Sequence, residues 1–84
     1  MPLPDENAVR SAARGVVGDM CRSSVTDGEA LISSGRIDSL SILKLIARLE
    51  ARLNITLPPE TLQPDDFDSV DVIVDTVLRV ARPR

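Results

Sequence analysis

The sequence predicts an all-α protein, a small antiparallel bundle of three main helices with one short helix and a long first loop. Three segments carry apolar residues at the three- and four-residue spacing that is typical of amphipathic helices. A chain of 84 residues accommodates one small domain, which we expect to span residues 1–84 with a core from about 5 to 81. Phe67 is the single aromatic residue, so the core is expected to be aliphatic.

The first helix is predicted to begin near Pro4 or Asp5 and to end between Gly18 and Cys21. Proline suits the first position of a helix, and an acidic side chain suits the positive end of the helix dipole. One face is apolar at helical spacing, and its members are Val9, Ala12, Ala13, Val16, Val17 and Met20. Cys21, the only cysteine, is expected to be a small buried apolar residue rather than a nucleophile.

Residues 22–37 are predicted to form a long loop, because turn-forming residues crowd this segment. These residues are Ser23, Ser24, Thr26, Asp27, Gly28, Ser33, Ser34 and Gly35. Leu31 and Ile32 interrupt the polar run and are expected to anchor the loop to the core. A loop of this length in a small domain is either functional or disordered, and the two apolar anchors favour an ordered one.

The second helix is predicted to run from about Ser39 to Leu53, with Asp38 or Ser39 supplying the side-chain oxygen that caps it. Its apolar stripe consists of Ile42, Ile46, Leu49 and Leu53, with Leu43 and Leu45 beside it. Its polar face consists of Ser41, Lys44, Arg48 and Arg52. Asn54 adopts the left-handed conformation more readily than most residues, so the helix is predicted to close there.

Three short segments follow from local residue types. Ile55 and Leu57 continue the apolar pattern in an extended link, which Pro58-Pro59 ends. The segment from Pro64 to Phe67 has proline at its start and is predicted to form one short helical turn. The tail from Arg82 to Arg84 carries no apolar anchor and is expected to be frayed.

The last helix is predicted to run from a Ser69 cap to about Val80. β-Branched residues are frequent in it, so a strand is the competing interpretation. Charged residues recur every four positions, at Asp71, Asp75 and Arg79, as one exposed face of a helix requires. This spacing favours the helix, whose apolar stripe is Val70, Ile73, Val74, Val77 and Leu78.

Composition excludes several classes of function. The net charge is −3 and only one residue is aromatic, so the basic patch or stacking platform of a nucleic-acid-binding protein is missing. The absence of histidine and the single cysteine leave no cluster that could bind zinc. The N-terminus does not resemble a signal peptide, and the apolar runs are too short to span a bilayer. We therefore expect a monomeric, cytoplasmic protein.

Ser39 is the candidate functional residue, in the run Gly35-Arg36-Ile37-Asp38-Ser39-Leu40 at the start of the second helix. Because the chain has no histidine, the usual base that turns a serine into a nucleophile is missing. The pattern alone allows two interpretations, an ordinary helix cap or a hydroxyl to which another enzyme attaches a group. Ser33 and Ser34 suit a turn, and Ser41 lies inside the helix.

The order of these elements, with Asp-Ser-Leu opening the second helix after a long loop, resembles the acyl carrier protein family. The resemblance extends from about Val9 to Val80. Its parts are the run Leu31 to Leu40, the second-helix stripe, Asn54-Ile55-Thr56-Leu57-Pro58 and Phe67-Asp68-Ser69-Val70. Asp-Ser-Leu alone is a weak signal, but in this architecture and at this length it is specific.

The resemblance implies a carrier rather than an enzyme. In such proteins the serine at the position of Ser39 bears 4′-phosphopantetheine, which a phosphopantetheinyl transferase installs, and Asp38 and Leu40 are expected to guide that enzyme. The thiol of the arm holds an acyl or aminoacyl group as a thioester. The implied partners are an acyl- or aminoacyl-activating ligase and a downstream synthase or transferase, as in fatty-acid, polyketide or nonribosomal peptide-type biosynthesis.

The second helix departs from the family's commonest pattern. Fatty-acid-type carriers place acids along this helix for docking on basic partners, whereas here Glu50 is the only acid among Lys44, Arg48 and Arg52. This face is either a solvated surface that does not select partners, or its positive charge selects partners different from those of fatty-acid-type carriers. The expected partner-docking residues are Ile37, Leu40, Ser41, Lys44, Ala47 and Arg48.

The cargo stays open at this point. The double glycine that often precedes the serine in peptidyl carriers is missing, so fatty acyl, polyketide starter, amino acid and D-alanyl groups all remain. The alternative function belongs to another class, a small helical protein-interaction module without a prosthetic group. Weighing the protein after co-expression with a transferase separates the two.

Overall fold

The computed structural model describes residues 3–84 and shows a helical bundle. The three main helices are α1 (Glu6–Cys21), α2 (Ile42–Leu53) and α3 (Val70–Val80). The first of them packs against both of the others, so it lies at the centre of the bundle. The predicted all-α fold with three main helices is confirmed.

Shorter elements connect the helices. They are 3₁₀ turns at Ser39–Ser41, Pro59–Thr61 and Pro64–Phe67, and the strands β1 (Ile55–Thr56) and β2 (Arg82–Pro83). The turn at Pro64–Phe67 was predicted and is confirmed. The turn at Pro59–Thr61 was not predicted, although the fixed φ of a proline at its first position favours it.

Helix α1 begins where the sequence predicts. The Ala8 N–H donates a 2.8 Å hydrogen bond to the Asp5 side chain, which caps the helix. At the other end, Arg22 has a left-handed conformation with φ 56°, and its N–H donates to the Gly18 carbonyl. Cys21, which was expected to be buried, is half-buried against the edge of the core.

Helix α2 begins at Ile42, later than predicted, because residues 39–41 form a tighter 3₁₀ turn that leads into it. Its buried stripe is Ile42, Leu45, Ile46 and Leu49, and Leu53 is half-buried at its end. The prediction that Leu43 lies beside this stripe is wrong, since its side chain is 73% exposed. Asn54 closes the helix in the left-handed conformation, with φ 55°, as predicted.

Helix α3 forms despite its β-branched residues. The Val72 N–H donates a 3.1 Å hydrogen bond to Ser69 Oγ, so Ser69 is the predicted cap. The predicted stripe is buried except for Leu78, which is 46% exposed and was wrongly included. Thr76 is buried, and its hydroxyl donates to the Asp66 carbonyl at 3.0 Å, which ties α3 to the preceding turn.

The C-terminal tail is paired rather than frayed, contrary to the prediction. Strands β1 and β2 are antiparallel, with Ile55 opposite Pro83 and Thr56 opposite Arg82. Ile55 and Leu57 are each 1% exposed, so their burial holds this link extended against the core. An extended link presents backbone N–H and C=O groups along its edge, and the tail supplies partners for them.

The core is aliphatic around one aromatic side chain, as the composition predicts. Phe67 is fully buried in the turn before α3. Leu31 is fully buried and Ile37 is 3% exposed, so the first loop is anchored at its middle and at its end. Both anchors precede Ser39 closely, and they position the start of the second helical segment.

Candidate functional site

The first loop follows a fixed path because Asp68 binds its backbone. The N–H groups of Leu31, Ile32 and Ser33 donate to Asp68 Oδ1 at 3.1, 2.7 and 2.9 Å, and the Ser33 hydroxyl donates to Oδ2 at 2.9 Å. These bonds, those from Ser33 first, hold the pKa of Asp68 below its ordinary value. The prediction of an ordered loop is confirmed, but no local pattern indicates that Asp68, more than 30 positions further along the chain, orders it.

An ion-pair network holds the start of the loop. Arg14 donates to both oxygens of the Asp27 carboxylate at 2.8 and 2.7 Å, and Arg10 donates to it at 2.8 Å. Arg10 also donates to Asp71 of α3 at 2.7 Å. The hydrogen bond from Arg14 does most to lower the pKa of Asp27 to about 2, with Arg10 adding to the effect. The guanidinium group of Arg10, on α1, therefore joins the loop to α3.

Asp38, rather than Ser39, caps the turn that leads into α2. The Ser41 N–H donates to Asp38 Oδ1 at 2.8 Å, and the Asp38 backbone is extended, as it is at most helix caps. Hydrogen bonds from the Ser41 side chain, and then from its backbone, hold the pKa of Asp38 below its ordinary value. Of the two capping residues that the sequence left open, the structure selects Asp38.

Ser39 is exposed at the tip of this turn, and within residues 3–84 no hydrogen bond uses its hydroxyl. Leu40, next to it, is 87% exposed. The chain has no histidine, and the neighbouring Asp38 carboxylate is ionised and engaged by Ser41. The arrangement presents a hydroxyl to an outside enzyme without activating it as a nucleophile.

A small apolar groove opens beside Ser39, between α2 and the segment 59–67. Its volume is about 150 Å³. Besides Ser39, its lining includes Ile42, Leu43, Ile46, Leu62, Pro64 and Phe67. Sequence reasoning missed this groove because its two walls come from segments that are separated along the chain and meet only in the fold.

The predicted docking residues lie at different depths. Four of them are exposed, namely Leu40, Lys44, Ala47 and Arg48, and Ser41 is half-buried. The prediction that Ile37 belongs to this surface is wrong, because its side chain is only 3% exposed. The Ile37 N–H donates to the Leu31 carbonyl at 3.0 Å, so Ile37 closes the loop and joins the core.

The part of the chain that the structure describes contains neither a membrane-spanning helix nor a metal-binding cluster. None of its helices combines the length and the apolar character that crossing a bilayer requires. No group of three or more histidine, cysteine, aspartate or glutamate side chains in residues 3–84 is arranged to hold a metal ion.

Comparison with known proteins identifies the family of the chain. A family model described as a phosphopantetheine attachment site matches residues 7–77. Two proteins named D-alanyl carrier protein, from Streptococcus suis strains 98HAH33 and 05ZYH33, are each 33% identical to this chain over 52 residues. The matched part is 62% of this chain and 66% of each relative, so the chain spans just under two thirds of their length. No solved structure matches the chain.

The family match covers α1, α2 and most of α3, and with them the loop and the exposed serine between the first two helices. The chain therefore belongs to the phosphopantetheine-attachment family, whose cofactor is covalently bound 4′-phosphopantetheine.

Proposed function

We propose that Ser39 bears the 4′-phosphopantetheine and that the chain delivers an acyl or aminoacyl thioester to partner enzymes. The observation that carries this proposal is the exposed Ser39 hydroxyl, which is left unused because Asp38 caps the turn. Attachment requires an oxygen that the transferase can reach: this oxygen bonds to the phosphorus of the arm, the phosphoanhydride bond of the arm's nucleotide donor breaks and releases the nucleotide, and the hydroxyl proton passes to a base of the transferase. The exposed Ser39 hydroxyl meets this requirement.

Other serines near the attachment site are committed to the fold. The Ser33 hydroxyl donates to the Asp68 carboxylate at 2.9 Å, and the Ser34 hydroxyl donates to a loop carbonyl at 2.7 Å. The Ser41 side chain is half-buried in the turn, and its backbone N–H donates to Asp38. Modification of Ser33 or Ser34 would break a hydrogen bond that holds the loop, whereas modification of Ser39 breaks none.

The surroundings of Ser39 fit a long prosthetic group. An anchor for a flexible arm has to lie at an exposed tip, because the reach of the arm sets the concentration of cargo at the partner's active site. When bound, the arm supplies a thiol that holds the cargo as a thioester. The chain's own residues keep the anchor in place, through the Asp38 cap and the Asp68 clamp on the loop, and offer the apolar groove beside it.

We propose a short cargo, with D-alanyl as the first candidate to test. Two curated relatives are named as D-alanyl carrier proteins. The groove beside Ser39 has a volume of only about 150 Å³. Pockets that enclose a drug-sized ligand measure about 300–1,000 Å³. A small acyl or aminoacyl group suits this surface better than a long acyl chain.

Three kinds of partner enzyme follow from this proposal. They are a phosphopantetheinyl transferase, an acyl- or aminoacyl-activating ligase, and a downstream synthase or transferase that receives the cargo. We place these steps in the cytoplasm, with residues 1–84 acting as a single, monomeric carrier domain.

Co-expression with a promiscuous phosphopantetheinyl transferase, followed by intact-mass measurement, tests the attachment. The wild-type chain is expected to gain the mass of one arm, and fragmentation is expected to place the arm on Ser39. Ser39→Ala is expected to stay unmodified. The matched control is Ser24→Ala, which removes another exposed loop hydroxyl and is expected to be modified as fully as the wild type.

Two results would contradict the proposal. One is a wild-type chain that gains no arm in the presence of an active transferase, which would favour the protein-interaction module instead. The other is an arm that persists in Ser39→Ala, which would move the attachment to a different residue.

A further inference from the structure

Two leucines beside Ser39 are left uncovered at the start of α2. Leu40 is 87% exposed and Leu43 is 73% exposed, more than any other large apolar side chain in residues 3–84. Because they lie three positions apart, they are neighbours on the helical surface. Single exposed apolar residues are ordinary, but adjacent uncovered leucines form a patch that is typical of a binding surface.

Positive charge borders these leucines. Lys44 and Arg48 are exposed and lie four residues apart, on the side of α2 that continues from Leu40. Neither side chain takes part in a salt bridge among the described residues. Several arginines elsewhere are paired with carboxylates, namely Arg10, Arg14, Arg36 and Arg79. The cations of α2 therefore keep their charge available to a partner.

Nearby acids do not cancel this charge. The carboxylates of Asp38 and Glu50 keep their charge, but they accept from the backbone N–H groups of Ser41 and Leu57 and form no salt bridge with Lys44 or Arg48 among the described residues. Asp19 of α1 lines a shallow groove together with Arg48 but forms no salt bridge with it. Further acids, Glu60 and Asp65, belong to the segment that forms the opposite wall of the groove beside Ser39. The outward face of α2 is therefore positive, although the chain as a whole has a net charge of −3.

Small residues let a partner come close to this helix. Ala47 and Ala51 are exposed, and they continue the row of Leu40 and Lys44 at helical spacing. A side chain of one carbon leaves the backbone of α2 accessible to a partner's helix or loop. The outward face thus combines projecting leucines, a row of small residues and unneutralised cations.

Docking through the second helix is expected from the family, and this chain departs from it in the sign of the charge. We propose that the face formed by Leu40, Leu43, Lys44, Ala47 and Arg48 selects a partner enzyme whose own surface offers an apolar pocket bordered by carboxylates, rather than the basic partners of fatty-acid-type carriers. This inference rests on the proposed function, since the partner is an enzyme that acts on cargo held at Ser39. The leucines supply the apolar contact, and the cations select acidic partners and speed association. Glu60 and Asp65 on the far wall of the groove repel the partner's carboxylates, which fixes the side from which it approaches.

Other occupants fit this face less well. Two copies of the chain would bring their cations together, and like charges in contact oppose association. Recognition of anionic lipid takes clusters of about 4–8 basic residues. Here three cations, Lys44, Arg48 and Arg52, project from α2. An acidic protein surface is the partner that both the leucines and the small number of cations favour.

Site-specific photo-crosslinking in the protein's own cells tests the docking face. Ala47 is replaced by benzoylphenylalanine, and the crosslinked peptides are identified by mass spectrometry. The expected product joins position 47 to a protein segment that carries aspartate or glutamate. The same probe at Ala51 guards against steric blocking at position 47, and a probe at Asp75 of α3 sets the background. Yield no higher than this background at both α2 positions would overturn the proposal, as would adducts with lipid or with a basic segment.

Charge reversal provides the second arm of the experiment. In the probe-bearing protein, Lys44→Glu with Arg48→Glu is expected to lower the crosslinking yield about tenfold, because steering by complementary charge changes association at least that much. Arg79→Glu with Arg82→Glu changes the net charge equally on α3 and β2, outside the docking face, and is expected to leave the yield within about twofold. Equal yields in the two double variants would overturn the role of charge.

The mass of each variant separates this proposal from the attachment at Ser39. Intact-mass measurement reports the arm, whereas crosslinking at position 47 reports contact with a partner. If the chain bears the arm but charge reversal leaves its crosslinking yield unchanged, the result contradicts the proposed docking face and leaves the attachment at Ser39 standing. A chain that never bears the arm contradicts the proposed function, whatever its crosslinks show.

Discussion

The Ser41 N–H donates a 2.8 Å hydrogen bond to the Asp38 carboxylate. This bond spans Ser39, the alternative cap that the sequence predicted. Because Asp38 supplies the acceptor for the N–H group at the start of the turn, the hydroxyl of Ser39 is not needed as a cap. It stays exposed and forms no hydrogen bond among the described residues. The proposed attachment therefore depends on a residue that does not itself react.

Replacement of Asp38 tests this arrangement. Asp38→Ala is expected to lower the melting temperature by about 4–8 °C, the effect of losing a helix cap in a domain of this size. Asp38→Asn is the matched control, because asparagine caps as well as aspartate and is expected to keep most of the stability. Circular dichroism measures the change, since the chain has no tryptophan or tyrosine. An unchanged melting temperature in Asp38→Ala would mean that Ser39 takes over the cap.

Removal of the Asp68 carboxylate is expected to release the first loop. In Asp68→Ala, the N–H groups of Ile32 and Ser33 lose their acceptor, and their hydrogen exchange is expected to speed up on the order of tenfold or more. Asp65→Ala, in the same turn but exposed, is the control. Nuclear magnetic resonance measures these exchange rates. Equal protection of the two N–H groups in both variants would show that the Asp68 carboxylate does not hold the loop.

Stability is expected to fall as the pH is lowered from about 4 to 2. The folded-state pKa of Asp27, about 2, lies below its ordinary value of 3.8 because Arg14 and Arg10 bind the carboxylate. Its contribution is complete above the ordinary value and is lost as the pH falls through the folded-state pKa, since the unfolded chain takes up the proton first. Urea midpoints between about pH 2 and 5 measure the slope.

Asp27→Asn is expected to remove part of this slope, and the remainder comes from Asp38 and Asp68, whose pKa values are also lowered. Asp75→Asn is the control, because Asp75 is an exposed carboxylate on α3 for which the structure shows no ion pair among the described residues. Identical slopes in Asp27→Asn and in the wild type would contradict the assignment to the ion-pair network.

Two glycines inside α1 are expected to respond differently to alanine. At Gly18, a new Cβ would lie 3.6 Å from the Ser23 carbonyl, an ordinary contact, so Gly18→Ala is expected to stabilise the protein by about 0.5–1 kcal/mol. At Gly15, it would lie 2.6 Å from the guanidinium of Arg52, which has to move. Urea unfolding is expected to show a smaller gain for Gly15→Ala. A gain in Gly15→Ala as large as that in Gly18→Ala would show that moving the Arg52 guanidinium away from Gly15 costs no stability.

Local chemistry explains how much of the fold could be predicted. Helical periodicity, the start of α1 near Asp5, the Ser69 cap and the closing Asn54 each depend on residues within a few positions of one another, so each was recognised in the sequence and is present in the structure. The mistakes at Leu43 and Leu78 concern the edge of an apolar stripe. Periodicity locates the centre of a buried face well, but the neighbouring elements determine how far the burial extends.

The sequence by itself determined the three helices and directed attention to Ser39 in its Asp-Ser-Leu context, because these features depend on residues that are adjacent or one helical turn apart. Only the tertiary structure decided that the tail pairs with β1, that Asp68 holds the loop and that Ile37 is buried. Each of these contacts joins or encloses segments that are remote along the chain. Their partners are selected by packing and by the need to satisfy backbone hydrogen bonds, which no local pattern records.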